Sequence, residues 1–208
     1  MSKYFAWCGL PGTFVLSVLM SVLAVALAIA RPGKHRFFCA AGMVISTLGD
    51  VFMTRFMDID EIFPNYFVIG AAFFMAAHLL YIASYGIKIR NSGAPFFNGG
   101  VILVLAATIV LYVYFIHLSI NTGHKSALPL VLVYLAIISA DCMTIFSYAW
   151  SQGFSNPLAI FAAVGAVSFM ISDLIIGLGI AGGITKYDSL IWWYYPIGQI
   201  LMIAGVGR

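Results

Sequence analysis

The sequence predicts an all-α polytopic membrane protein, a bundle of about seven transmembrane helices forming a single integral membrane domain. Three observations predict it. Of 208 residues, 63% are hydrophobic and only 8% charged, against roughly 25% charged in a soluble domain; so few charges cannot cover a water-exposed surface of this size. The charges are also bunched. Asp50 and Arg55 are the only ones between Phe37 and Met57, and none occurs from Tyr66 to Ile87. Finally, the apolar runs are continuous rather than alternating, which fits helices of about 20 residues crossing roughly 30 Å of hydrocarbon and not barrel strands.

Spans are expected at about 9–30, 37–57, 64–88, 98–120, 127–150, 157–181 and 189–207. The basic turn Arg31-Pro32-Gly33-Lys34 closes the first. Its apolar run is long for a signal peptide, and Pro32 follows closely, so the segment reads as a retained span although Ala-x-Ala triplets occur near Ala28 and Ala30. Asp58-Ile59-Asp60-Glu61 and Pro64 separate the second and third spans, and Arg90 to Pro95 and Asn121 to Lys125 are turn clusters. Asn156-Pro157 opens the sixth span with proline in its first turn, where the missing N–H costs little. Gly182-Gly183 closes it. Trp192 and Trp193 at the start of the seventh read as an interfacial belt.

The net charge of +3 sits in short loops, which is topology information and not a nucleic-acid footprint. Arg31, Lys34, Arg36, Lys88, Arg90 and Arg208 fall on one face of the membrane, and Lys3, Arg55, Lys125 and Lys186 on the other. The bias favours an outside N-terminus and a cytoplasmic C-terminus. The three cysteines, Cys8, Cys39 and Cys142, match no metal spacing; they read as small buried apolar residues. No nucleophile elbow, zinc helix or phosphate loop is present. No metal or other cofactor is expected.

Function is carried by polar groups that lipid excludes. An ionisable side chain in hydrocarbon costs at least about 2.5–3.5 kcal/mol and so faces the bundle interior. Asp50, His78, Asp141 and Asp173 lie well inside spans, whereas His117 reaches an interface. Helical spacing groups them: Gly42, Ser46, Gly49 and Asp50 on the second helix; Gly70, Phe74, His78, Tyr81 and Tyr85 on the third; Tyr134, Asp141 and Tyr148 on the fifth; Gly165, Phe169, Ser172 and Asp173 on the sixth; Tyr195 and Gln199 on the seventh. At the α-helical rise, Asp50, Asp173, Gln199, His78 and Asp141 lie about 10–20 Å from the outer ends of their helices. Those depths are compatible with one buried polar layer. A lone intramembrane aspartate can equally be a helix–helix hydrogen-bonding group, and the tyrosines can be plain core.

Four segments occur in the order and spacing of a known family. They are Leu48-Gly49-Asp50-Val51, Ala77 to Ile82 (AHLLYI), Gly165 to Asp173 (GAVSFMISD) and Tyr195 to Leu201 (YPIGQIL). From about residue 37 to the C-terminus the chain resembles the YhhN-like family of membrane proteins, which includes the lysoplasmalogenases. The resemblance implies a membrane-embedded lysophospholipid hydrolase that cleaves the vinyl ether bond of lysoplasmalogens. Its products are a fatty aldehyde and glycerophosphocholine or glycerophosphoethanolamine, and its partners are the lysophospholipid substrate and membrane lipids of a bacterial-type cell membrane. Paired aspartates are the family's proposed catalytic groups, and Asp50 and Asp173 match them. His78, Tyr81, Tyr195 and Gln199 match other motif positions. Two departures stand out: the family usually has eight spans, and it carries Lys-Pro-Leu where this chain has Leu10-Pro11-Gly12 without a lysine.

The chemistry can be argued independently. A vinyl ether hydrolyses by protonation of its double bond to an oxocarbenium ion, addition of water, and collapse of the hemiacetal to aldehyde and alcohol. One acid must stay protonated and one carboxylate must stabilise positive charge and activate water. Two carboxyls in a low-dielectric site titrate apart and can fill both roles. On this reading Asp50 and Asp173 are catalytic, His78 and Gln199 orient them or the water, Tyr81, Tyr134 and Tyr195 line the site, and Asp141 meets a cationic head group. The rival readings are a transporter or binding protein for lipids or small molecules, using the same polar layer for recognition, and a purely structural membrane subunit. The first would be marked by repeated halves with broken helices, and no such repeat is visible.

Overall fold

A computed structural model describes Ala6–Trp7 and residues 10–207. Cys8 and the terminal charges Lys3 and Arg208 lie outside the described residues. Two two-residue strands, β1 (Ala6–Trp7) and β2 (Leu10–Pro11), pair antiparallel, Ala6 opposite Pro11 and Trp7 opposite Leu10. Helices follow: α1 (Gly12–Ala30), α2 (Lys34–Met53), α3 (Ile59–Ile62), α4 (Tyr66–Ser92), α5 (Gly99–Thr122), α6 (Leu128–Ser151), α7 (Pro157–Gly182) and α8 (Asp188–Gly205). Among the described residues, six helices are long and apolar enough to cross a membrane, namely α1, α2, α4, α5, α6 with its preceding turn, and α7. The chain is a multi-pass membrane protein. The seventh expected span is α8, of 18 residues, whose apolar character is diluted by Asp188, Pro196, Gln199 and a Trp-Trp-Tyr-Tyr run.

Against the expected spans, α4 runs on to Ser92 rather than 88, and α2 starts at Lys34 and ends at Met53 rather than running to 57. The cause at α2 is backbone conformation. Arg55 (φ 53°) and Asp58 (φ 54°) are left-handed, which a non-glycine residue rarely adopts and which ends a right-handed helix. A 3-10 turn over Phe56–Asp58 and the single turn of α3 follow. Phe56 and Met57 merely extend the apolar run in sequence. Elsewhere the termini follow the expected chemistry. Asn98 and Asn156 cap α5 and α7 by accepting from the backbone N–H of Gly100 and Leu158, both at 3.0 Å. Gly183, at φ 65°, ends α7.

The chain forms two compact units, the first reaching Ser84 and the second running Tyr85–Gly207, so that the boundary falls within α4. In the first unit, α1 and α2 form an antiparallel hairpin, and α2 and α4 approach closely through small residues. A Cβ on Gly49 would stand 3.2 Å from the Gly70 carbonyl oxygen and 3.0 Å from the Phe74 ring, and one on Gly42 would stand 2.6 Å from the Tyr81 ring. The stripe read from α2 thus serves helix contact, as small residues do between helices in lipid.

In the second unit α7 and α8 lie against each other almost backbone to backbone. A Cβ on Gly165 would fall 2.8 Å from the Gly198 carbonyl oxygen, one on Gly198 2.7 Å from the Phe169 nitrogen, and one on Gly205 2.7 Å from the Ala162 nitrogen. The helix α5 joins α6 through Asn98 to the Ser147 hydroxyl (3.0 Å) and Tyr112 to the Leu132 carbonyl (2.8 Å). These glycines carry a prediction. Gly198→Ala forces main chain apart and should cost about 1–3 kcal/mol, read as a lower melting temperature in detergent. Gly86→Ala in α4, where an added Cβ meets nothing within 4 Å, should be neutral or stabilising by up to about 1 kcal/mol.

Candidate active site

In the first unit, Asp50 sits in the last turn of α2 and is 2% exposed. Its main-chain oxygen is occupied by the end of the helix, accepting from Thr54 N–H (2.9 Å) and Thr54 Oγ1 (2.7 Å). Its carboxyl Oδ2 accepts a hydrogen bond from Ser17 of α1. Behind Ser17 stand two more hydroxyls: Thr47 Oγ1 is 2.9 Å from Ser17 Oγ, and Ser21 Oγ is 2.7 Å from Thr47 Oγ1. Ser17 and Ser21 are one helical turn apart on α1, and Thr47 and Asp50 one turn apart on α2, so the antiparallel hairpin stacks them into a row. The α4 side chains expected beside Asp50 are buried too, His78 at 1% and Tyr81 fully. The two rings meet edge to face, with centroids 6.1 Å apart, and Tyr81 OH points at Met43 Sδ, 3.8 Å away, on α2.

An apolar groove of about 830 Å³ also separates α1 from α2, lined by Val25, Ile29, Phe37, Ala41 and Val44, with Lys34 among them. It does not belong to the site. Ala41 and Asp50 are separated by about two and a half helical turns and so face opposite ways.

In the second unit, Tyr134 of α6 donates to Asp173 Oδ2 of α7 at 2.8 Å. The Ser172 hydroxyl is 3.4 Å from Asp173 Oδ1 but 2.8 Å from the Phe169 carbonyl; its single proton serves the shorter, main-chain bond. The face assigned to α7 therefore divides. Gly165, Phe169 and Ser172 turn toward α8 or into the core, with the Phe169 and Tyr195 rings 5.4 Å apart. Asp173, one residue further round, addresses α6. Asp141 is buried at 2% exposure. It lies about 10 Å along α6 from Tyr134 at the helical rise, and the Cys142 thiol between α6 and α7 lies within electrostatic reach of both Asp141 and Asp173. On α8, Tyr195 and Gln199 are buried, and the Ser168 hydroxyl donates to the Tyr194 carbonyl at 3.0 Å. At the far end of the α6 face, Tyr148 packs with Tyr85, ring centroids 5.8 Å apart, beneath the Lys88 ammonium at 5.4 Å.

Within each unit, then, an aspartate accepts from a hydroxyl of a neighbouring helix. Sequence reading singled out both aspartates and the Tyr134 face but not Ser17, Ser21 and Thr47. Their i, i+4 and i, i+3 spacing was a signal; isolated hydroxyls in an apolar helix are common, because they can bond their own backbone.

A family model described as the YhhN family matches residues 12–206. Among curated proteins, the chain is similar to a protein named lysoplasmalogenase from Mycobacterium bovis, 29% identical over 191 residues that cover 89% of this chain and 67% of the relative. A lysoplasmalogenase from Mycobacterium tuberculosis gives the same figures. A lysoplasmalogenase homolog from Dictyostelium discoideum is 26% identical over 170 residues, 70% of this chain and 51% of that protein. No solved structure matches the chain.

Burial of the thiols gives a direct check of the helix faces. Cys39 and Cys142 are both free and buried. In a Cys8→Ser background, neither should react with a maleimide in the folded, detergent-solubilised protein, and both should react in denaturant, as counted by mass spectrometry.

Proposed function

We propose, starting from the fact that this chain belongs to the YhhN family, that it is a membrane-embedded hydrolase of lysoplasmalogens. It would release a fatty aldehyde and glycerophosphocholine or glycerophosphoethanolamine. The observation that carries this reading is the similarity to proteins named lysoplasmalogenase over 89% of the chain. Asp50, buried, and Asp173, half-buried, support it by offering the chemistry the reaction needs.

The substrate is R–O–CH=CH–R′, with R the glycerophospho head and R′ the rest of the fatty chain. A carboxyl donates a proton to the carbon beta to the oxygen, and the positive charge spreads over the ether oxygen and its neighbouring carbon. A second carboxyl, ionised, stabilises that charge and takes a proton from water as the water oxygen bonds to the cationic carbon. As the carbon–oxygen bond of the resulting hemiacetal breaks, the second carboxyl gives its proton to the departing ether oxygen, releasing R–OH, and the first, now a carboxylate, takes the proton of the hemiacetal hydroxyl, leaving the aldehyde. One water is consumed and the carboxyls return to their starting forms. In this reading Asp50 and Asp173 are the catalytic carboxyls. His78 and Gln199 orient them or the water, and Tyr81, Tyr134 and Tyr195 line the site. Asp141 meets the cationic choline or ethanolamine. The N-terminus lies outside a bacterial-type cell membrane and the C-terminus in the cytoplasm, following the loop charges.

Purified protein given lysoplasmalogen should release free aldehyde. Asp50→Asn and Asp173→Asn should each lower kcat by about 10²–10⁴-fold, the range for general acid–base groups, while keeping the wild-type melting temperature within a few degrees. Full activity in either variant refutes that residue's role. Absence of aldehyde from the wild type, with saturable substrate binding retained, favours a lipid-binding or transport protein instead.

A further inference from the structure

The row of hydroxyls beside Asp50 has a direction, and it follows from counting protons. A serine or threonine hydroxyl has one proton to donate and two lone pairs to accept with. The Ser17 proton is directed to Asp50 Oδ2. In its 2.9 Å contact with Thr47, Ser17 therefore accepts and Thr47 donates. With the Thr47 proton so placed, Ser21 must donate in the 2.7 Å contact between them. The competing main-chain acceptors are more distant: Thr47 Oγ1 is 3.2 Å from the Ser17 carbonyl and 3.1 Å from that of Met43, and Ser21 Oγ is 3.1 Å from the Met43 carbonyl. Hydroxyl hydrogen bonds favour about 2.7–2.8 Å. The side-chain row is the preferred arrangement. All three hydroxyl dipoles then point the same way, along α1 and α2 toward one carboxyl oxygen, and each bond polarises the next.

We infer that Ser17 is a positioning residue which, backed by Thr47 and Ser21, holds Asp50 in place as a hydrogen-bond acceptor through its Oδ2. This inference rests on the function proposed above and deepens it by naming the group that orients one of its two carboxyls. A donor held from behind by two further hydroxyls meets a carboxylate well and a carboxylic acid poorly, since the acid has given up part of its accepting capacity. The row also sets the orientation of the carboxyl, because Ser17 is fully buried and is held from behind by Thr47. Its cost to the helices is small: Ser17, Ser21 and Thr47 are polar groups in lipid that satisfy one another.

The test compares wild type, Ser17→Ala and Ser17→Thr. Ser17→Ala should lower kcat for lysoplasmalogen by about ten- to a hundredfold, the range for losing a hydrogen bond to a charged group, with KM unchanged. Ser17→Thr, which restores the hydroxyl, should recover most of it. A merely structural role would move KM, stability and kcat together and would not discriminate alanine from threonine. If Ser17→Ala does not fold, Thr47→Val cuts the same row one link back and should lower kcat in the same direction.

Infrared spectroscopy reads the assignment without turnover. The carbonyl stretch of protonated carboxyl groups should be unchanged between wild type and Asp50→Asn. It should gain intensity in Ser17→Ala and lose that gain in Ser17→Ala/Asp50→Asn. A protonated-carboxyl band that disappears from the wild type on Asp50→Asn overturns the inference, as does full kcat in Ser17→Ala. If the wild type releases no aldehyde at all, the proposed reaction fails, and the infrared comparison still decides whether Asp50 is the acceptor.

Discussion

Hydrocarbon offers a carboxyl group no hydrogen bonds, and that constraint organises this molecule. An intramembrane aspartate is best met by the protein itself, and for Asp50 and Asp173 the helices are arranged so that it is. Asp50 is met from α1 by Ser17, and Asp173 from α6 by Tyr134. Packing follows the same logic. With lipid as apolar as leucine, burying apolar surface does not hold helices together, so close backbone approach has to. Gly165, Gly198 and Gly205 bring α7 and α8 nearly into main-chain contact, and Gly49 and Gly70 do so for α2 and α4. Glycine costs helix propensity at these places, and the approach it permits is what places the aspartate-bearing turns.

The hydroxyls that meet the aspartates differ in kind. A phenol reaching from α6 provides a single rigid donor to Asp173. The row on α1 and α2 is a line of small side chains whose shortest contacts run toward Asp50 once Ser17 donates to it. Such a line suits a group that must remain an acceptor in a medium that disfavours charge. Two carboxyls with different surroundings are what an acid–base reaction on a neutral lipid double bond requires, because proton donation and water activation cannot come from groups in the same state.

Much of this was legible in the sequence, for identifiable reasons. Spans of about 20 apolar residues broken by Arg-Pro-Gly-Lys or Asn-Pro announce themselves, and Asp50 and Asp173 stand out because lipid makes them costly. The end of α2 was not legible, since left-handed Arg55 and Asp58 lie in a stretch that still reads as apolar through Phe56 and Met57. Periodicity placed Asp173 with Gly165, Phe169 and Ser172, but Ser172 and Asp173 are about 100° apart around the helix, enough to send one to the core and the other to α6. The spacing of Ser17 and Ser21 and of Thr47 and Asp50 hinted at two polar faces, but that they meet in one row depends on how α1 and α2 register against each other, which no local spacing encodes. On α8, Tyr195 and Gln199, which spacing alone puts on one face, are both buried.

The central claim is that a carboxyl proton, exchanged from solvent, is delivered to carbon. Running the reaction in deuterated water and examining the fatty aldehyde by mass spectrometry, with trapping as it forms, tests that most directly. The account predicts one deuterium at the carbon next to the aldehyde carbon, in every molecule released. Aldehyde that forms without deuterium at that carbon would contradict it, because the double bond would then have been cleaved by a route other than protonation.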